Sequence, residues 1–169
     1  RACETTCPSG VQYARLLDIG REQLEKQVQR PLLEQSKRNL LRYILPYPQR
    51  FSPLLNLARW LKPILPKTLP IPDSAIKLKY TSKPQARQML ILDGCVQSSL
   101  APNINQAAAY VLQQLGISLI TAPKAGCCGA LSYHLSATEE GLNFARRNID
   151  AWLPYLEQGV EAIIITASG

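Results

Sequence analysis

The sequence predicts an α/β chain in two parts, a helical first half followed by a small parallel βαβαβ unit, and three observations carry that reading. Residues 1–90 hold sixteen Lys and Arg against six Asp and Glu, whereas residues 91–169 hold three against six, so a strongly basic half precedes a mildly acidic one within a net charge of +7. Eight of the thirteen prolines fall between residues 46 and 84, where missing amide donors and the extended bias of the residue before each proline disfavour regular structure. Beyond them short apolar runs alternate with helical stripes, a pattern that means a parallel sheet with right-handed crossovers and a small three-layer unit.

The elements follow in order. Residues 1–10 lack periodicity, and their Cys-Pro and Ser-Gly pairs read as a tight loop. Leu17, Leu24 and Val28 recur at helical spacing as far as Gln29, with Gly20 a weak point. Pro31 suits a first helical position, and Leu33, Leu40, Leu41, Ile44 and Leu45 mark a second helix ended by Pro46 and Pro48. Ser52-Pro53 reads as a cap and a first-turn proline opening a third helix through Leu54, Leu55, Ala58 and Leu61. These helices close a first part at 1–61, a proline-rich linker runs over 62–86, and 87–169 form the second part.

Within the second part Met89-Leu90-Ile91-Leu92 is a continuous apolar run of the kind found in buried parallel strands, ended by Asp93-Gly94-Cys95. A helical stripe of Ile104, Ala107, Ala108, Val111, Leu112 and Leu115 closes at Gly116, and Ile117 to Ile120 form the second strand. A long helix from about Thr138 presents Leu142, Ala145, Ile149, Trp152, Leu153 and Leu156, with a bend at Pro154, before a third strand over Ala162 to Thr166.

Composition narrows the function. A hydrophobic content of 46% supplies a core, no apolar run approaches the ~18 residues that cross a bilayer, and no charged-then-apolar signal segment opens the chain. The single methionine, Met89, and the opening at Arg1 inside a cysteine-bearing stretch read as an internal fragment. Five cysteines, an odd number without a secretory signal, point to metal, cluster or redox chemistry in a reducing compartment rather than a disulfide framework. The basic half fits a protein partner or a membrane surface; no nucleic-acid module or aromatic-interleaved basic run accompanies it.

The cysteine positions carry the chemistry. Loops after the carboxyl ends of parallel strands converge on one edge, so Cys95, after the first strand, can meet Cys127 and Cys128, after the second. Such a thiolate group suits a soft metal or an iron-sulfur cluster. A disulfide between the adjacent pair would be strained, since consecutive α-carbons stand about 3.8 Å apart, and Gly126 and Gly129 fit a backbone wrapped closely around a ligand. At the start of the chain Cys3-x3-Cys7-Pro8 matches the last part of the ferredoxin run C-x2-C-x2-C-x3-C-P, in which the third and fourth cysteines serve different clusters.

Arg1-Ala-Cys-Glu-Thr-Thr-Cys-Pro-Ser-Gly10, Asp93-Gly-Cys-Val-Gln97, Gly126-Cys-Cys-Gly-Ala-Leu-Ser-Tyr-His134, Ala145-Arg-Arg-Asn-Ile149 and Thr166-Ala-Ser-Gly169 together resemble the iron-sulfur subunits of glycolate oxidase. These belong to a wider cysteine-rich "CCG" group with heterodisulfide reductase, anaerobic glycerol-3-phosphate dehydrogenase and lactate-utilisation subunits. The resemblance implies the helical tail of a ferredoxin-like 2×[4Fe-4S] domain followed by a cysteine-rich CCG domain, truncated here. It implies [4Fe-4S] clusters on Cys3, Cys7, Cys95, Cys127 and Cys128, with His134 and Asp93 bordering the site and no catalytic residue. A flavin subunit would oxidise glycolate to glyoxylate while this subunit, cytoplasmic or peripheral on the inner face of the cell membrane, carries electrons to an acceptor such as quinone. The first two ferredoxin cysteines, the second ferredoxin motif, a further cysteine-rich domain and a Cys-Gly after Gly169 are absent, so the ligand sets are incomplete and the fragment alone is expected to be inactive.

Other readings stay open on the residues themselves. A related lactate, glycerol-3-phosphate or heterodisulfide oxidoreductase subunit would share the motifs. A zinc module could use Cys95, Cys127, Cys128 and His134, although zinc sites favour C-x2-C spacing, and a thiol-disulfide enzyme lacks its C-x-x-C. Nicotinamide binding is disfavoured because no G-x-G-x-x-G follows the first strand. Arg146 and Arg147 read most simply as a solvated helical face, with contact to an acidic partner as the weaker alternative.

Overall fold

A computed structural model describes residues 2–64, 66, 71 and 84–166, without the side chains of residues 2 and 3. Most of the expected linker and the end of the Thr166–Gly169 turn therefore lie outside the described residues. The first half holds α1 (Ala2–Thr5), a single helical turn within the segment expected as a loop, then α2 (Tyr13–Gln27), α3 (Leu32–Ile44) and α4 (Pro48–Leu61). Helix α2 passes through Gly20 unbroken and ends at Gln27, short of the expected Gln29, and Pro31 stands just outside α3 as its cap instead of at its first position.

One boundary differs. Pro48 opens α4 at its first position, where a missing amide costs nothing, and Pro53 lies inside the helix. Ser52 is therefore no cap; its hydroxyl meets the Ser99 hydroxyl at 2.5 Å and ties α4 to the second half. The stronger start signal lay one turn earlier, where Tyr47 accepts the Phe51 amide in the first intrahelical bond.

The second half is a three-stranded parallel sheet in the order β2-β1-β3, formed by β1 (Arg87–Ile91), β2 (Ile117–Ile120) and β3 (Ile163–Ile164). Arg87 pairs with Ile117 and Leu90 with Ile120 on one side of β1, and Leu90 pairs with Ile163 on the other. The third strand is shorter than expected, but the Leu90 amide donates to the Ala162 carbonyl and the Glu161 amide to the Gln88 carbonyl, carrying the pairing back ahead of it. The connections contain α5 (Gln97–Leu100), α6 (Pro102–Gln114), α7 (Ala130–His134) and α8 (Thr138–Glu157). The one-turn helices α5 and α7 are too short to show a period in sequence.

Burial corrects the expected apolar faces. Helix α8 buries Gly141, Phe144, Asn148 and Ala151, while Ile149, Leu153 and Leu156 stay exposed. Helix α6 likewise exposes Ile104, Val111 and Leu115, and no residue of α2 or α3 is buried. Periodicity records that a helix has an apolar face; it does not say which face finds a neighbour. The packed core is small and centres on Leu90, Ala122, Ala151 and Val160, with Ile120, Trp152, Tyr155 and Ile163 against it. Pro154 sits within α8, which runs as one element to Glu157.

Polar and aromatic contacts join the halves. The Arg42 guanidinium donates to the Glu140 carboxylate, which also accepts the hydroxyl of fully buried Ser132 at 2.9 Å, and Tyr47 packs edge-on against Phe144 at 6.0 Å between centroids. Arg42 and then Ser132 hold the Glu140 carboxyl below its usual range. A carboxyl depressed in the folded state contributes stability that is complete above its unfolded pKa and is lost as pH falls through the lower folded value. Glu140→Gln is therefore expected to cost on the order of 1 kcal/mol at neutral pH and to narrow its gap to the parent below about pH 4; equal gaps in denaturant melts at pH 7 and pH 3.5 would count against the pair.

Candidate functional site

The carboxyl edge of the sheet collects three of the five cysteines. Strand β1 runs out at Asp93-Gly94, where Gly94 takes a left-handed φ of +75° and turns the chain so that Cys95 returns over the edge. Strand β2 leads into the Gly126–Gly129 loop, and the Cys127 sulfur lies 3.5 Å from that of Cys95. Cys127 is 2% exposed, Cys95 half-buried and Cys128 exposed, and all three are free thiols. The spacing of 32 residues is thus closed by the parallel pairing of β1 with β2.

Electrostatics at the group follow from one shared donor. The Cys127 thiol is within hydrogen-bonding reach of both neighbours, and contact with Cys128, then Cys95, together with burial, pushes its pKa up. Receiving that bond lowers Cys95 to about 7. It lowers Cys128 to about 5, with the Ala130 amide and His134 also favouring its thiolate. The Gly129 amide donates toward the Cys127 sulfur at 3.4 Å. In metal-free protein at pH 7, iodoacetamide should modify Cys128 first and Cys127 last, as peptide mapping by mass spectrometry would show; Cys127 labelled at the rate of Cys128 would contradict this arrangement.

The loop is held from α8. The Asn148 side chain, 2% exposed, accepts the Gly126 amide at 2.8 Å and donates to the Cys127 carbonyl at 3.0 Å. The room left by both glycines is taken by the same helix: a Cβ at Gly129 would run into the Gly141 carbonyl, and one at Gly126 into the Arg147 guanidinium. The Cys95 turn is held from the other side. Gln97 donates to Asn105 at 2.8 Å and to Thr166 at 2.7 Å, and Asn105 donates to the Asp93 carbonyl at 3.3 Å. This network ties β1 to the end of β3, the strand pair at which a 2-1-3 order reverses direction.

The remaining expected residues are placed as follows. Asp93 borders the edge as an acceptor for Asn105. His134 closes α7, and its Nδ1 lies 3.7 Å from the Asp18 carboxylate of α2. Cys7 sits in the turn after α1, where the Val11 and Ser9 amides lower its thiol pKa, and its other hydrogen-bonding neighbours, Tyr13 and Gly10, belong to the same segment. The Cys3 side chain lies outside the described residues. Sequence reading missed Asn148, Gln97 and Asn105; for Asn148 a signal existed, a carboxamide four residues after Phe144 on a helix face otherwise built of apolar and small residues.

Among the described residues no three His, Cys, Asp or Glu side chains already stand as a finished metal site. The donors nevertheless suit an iron-sulfur group: soft thiolates on one edge, two of them favoured as anions, with an N–H aimed at the central sulfur. No helix among the described residues is long and apolar enough to cross a membrane.

Comparison with known proteins agrees with that chemistry. Residues 89–169 match the cysteine-rich domain family called CCG. The whole chain is 50% identical to the glycolate oxidase iron-sulfur subunit of Escherichia coli strain K12, of which it spans 42%. It is 24% identical to a probable glycolate oxidase iron-sulfur subunit of Bacillus subtilis strain 168, of which it spans 44%. The chain thus covers under half the length of these relatives. No solved structure matches it.

Proposed function

We propose, from the match of residues 89–169 to the cysteine-rich CCG domain family, that the protein is an electron-transfer subunit of a glycolate oxidase complex. In this reading a flavin subunit takes two electrons from the CH–OH carbon of glycolate, giving glyoxylate, and this subunit passes them to an acceptor such as quinone. The chain divides into the end of a ferredoxin-like domain with its helices at 1–61, a linker at 62–86 and a CCG domain at 87–169. The protein works in the cytoplasm or against the inner face of the membrane.

A bound [4Fe-4S] group supplies one-electron chemistry at a potential set by ligands, hydrogen bonds and exposure. Cys95, Cys127 and Cys128 would hold it in the second half, and Cys3 and Cys7 would contribute to clusters in the first. This chain's own residues do the rest: Asn148 and the Gln97–Asn105 pair fix the two loops, the Gly129 amide stabilises negative charge on the Cys127 sulfur, and His134 and Asp93 border the group. No acid-base pair is required of it.

The observation that carries the proposal is the convergence of the free thiols of Cys95, Cys127 and Cys128 on the carboxyl edge, where the first two sulfurs approach to 3.5 Å. That approach also favours a second reading, because two thiolates on one tetrahedral zinc at 2.3 Å stand about 3.8 Å apart. Anaerobic purification of the full-length parent decides between them. Iron with acid-labile sulfide is expected; stoichiometric zinc without sulfide establishes the second reading, and neither metal refutes both.

A further inference from the structure

Beside the thiol group lies a cleft of about 460 Å³, between the α3–α4 turn and the carboxyl ends of β1 and β2. Its size is that of pockets which take small organic molecules. Pro46, Tyr47, Leu92 and Pro123 give it flat, apolar walls, and Cys127 lies at its floor. Two cations face it, Lys124 and Arg147, and neither makes an ion pair among the described residues. The one carboxylate on its lining, Asp93, accepts Asn105 at 3.4 Å.

Arg147 is held in place. Its guanidinium lies 5.0 Å from the Phe144 ring centroid, one turn back on α8, and rests against the Gly126 backbone, where any side chain would displace it. A cation–π contact and a glycine thus fix the fork at the cleft while leaving its N–H groups without a carboxylate. A fixed guanidinium pairs with a carboxylate through two parallel hydrogen bonds.

We propose that this cleft binds a small organic anion, a carboxylate on a planar apolar body. The carboxylate pairs with Arg147, Lys124 adds positive field, and the body lies between Tyr47 with Pro46 and Pro123 on the opposite wall. A two-carbon acid such as glycolate would leave most of the volume empty, so this ligand is distinct from the substrate of the complex.

Titration of benzoate into the full-length protein, followed by calorimetry and by ligand NMR, tests the proposal. Saturable binding is expected, at least tenfold tighter than acetate. Arg147→Gln should weaken it at least tenfold, Arg147→Lys less, and Lys124→Gln severalfold; the side chains of both residues are exposed, so the variants should fold, as circular dichroism would verify. Absence of saturable benzoate binding, or an affinity unchanged in Arg147→Gln, overturns the site. Equal affinities for acetate and benzoate overturn the part assigned to the apolar walls.

Discussion

Cys127→Ser in the full-length protein is expected to remove the iron and sulfide of the second half and to lower electron transfer from the reduced partner subunit at least a hundredfold. Cys127 is the central thiol of the three, buried while its neighbours are half-buried or exposed, and its sulfur receives the Gly129 amide. A hydroxyl keeps the shape but is a poor ligand for a soft metal. The thermal midpoint of metal-free protein should move little, since serine is nearly isosteric. Iron and sulfide assays with electron paramagnetic resonance of the reduced protein check the outcome. Wild-type iron content and an unchanged spectrum in Cys127→Ser would remove the cysteine from the site, and Cys7→Ser, which alters a separate segment, is the control that leaves this signal in place.

Gly129→Ala should destabilise the second half by about 3 kcal/mol or more. The φ of +87° costs alanine about 1–2 kcal/mol, and overpacking a tight contact adds typically 1–3 kcal/mol. The added Cβ would meet the Gly141 carbonyl and Phe144, so α7 and α8 must separate. That movement also draws Asn148 away from the Cys127 carbonyl, so the variant should lose iron at temperatures where the parent keeps it. Gly116→Ala is the comparison: its φ of +74° imposes backbone strain alone, with open space around it. Denaturant melts that place the two variants at equal cost would show that the helix contact carries nothing.

The sheet's strands and the landing place of Cys95, Cys127 and Cys128 were legible because apolar runs of four residues bounded by glycine and charge leave few alternatives, and because strand ends in a parallel sheet share an edge. The start of α4 was misread because two prolines compete for the first helical position, and only the packing of Tyr47 and Ser52 shows which wins. The buried face of α8 was misread for a different reason. Leu142, Ile149, Leu153 and Leu156 are the more hydrophobic set, yet Gly141 and Asn148 face inward because only a glycine admits the α7 backbone and only a carboxamide satisfies the Gly126 amide and Cys127 carbonyl.

By itself the sequence determined the three strands, the existence of the longer helices and which residues can supply soft ligands, since these follow from local pattern and side-chain chemistry. The tertiary structure alone decided that β1 lies between its partners, that the Cys127 sulfur comes within 3.5 Å of the Cys95 sulfur, and that Arg147, on the exposed face expected from sequence, also rests against Gly126 beside a cleft. Those outcomes depend on distances between residues far apart in the chain, where a shift of one position around a helix exchanges a buried carboxamide for an exposed isoleucine.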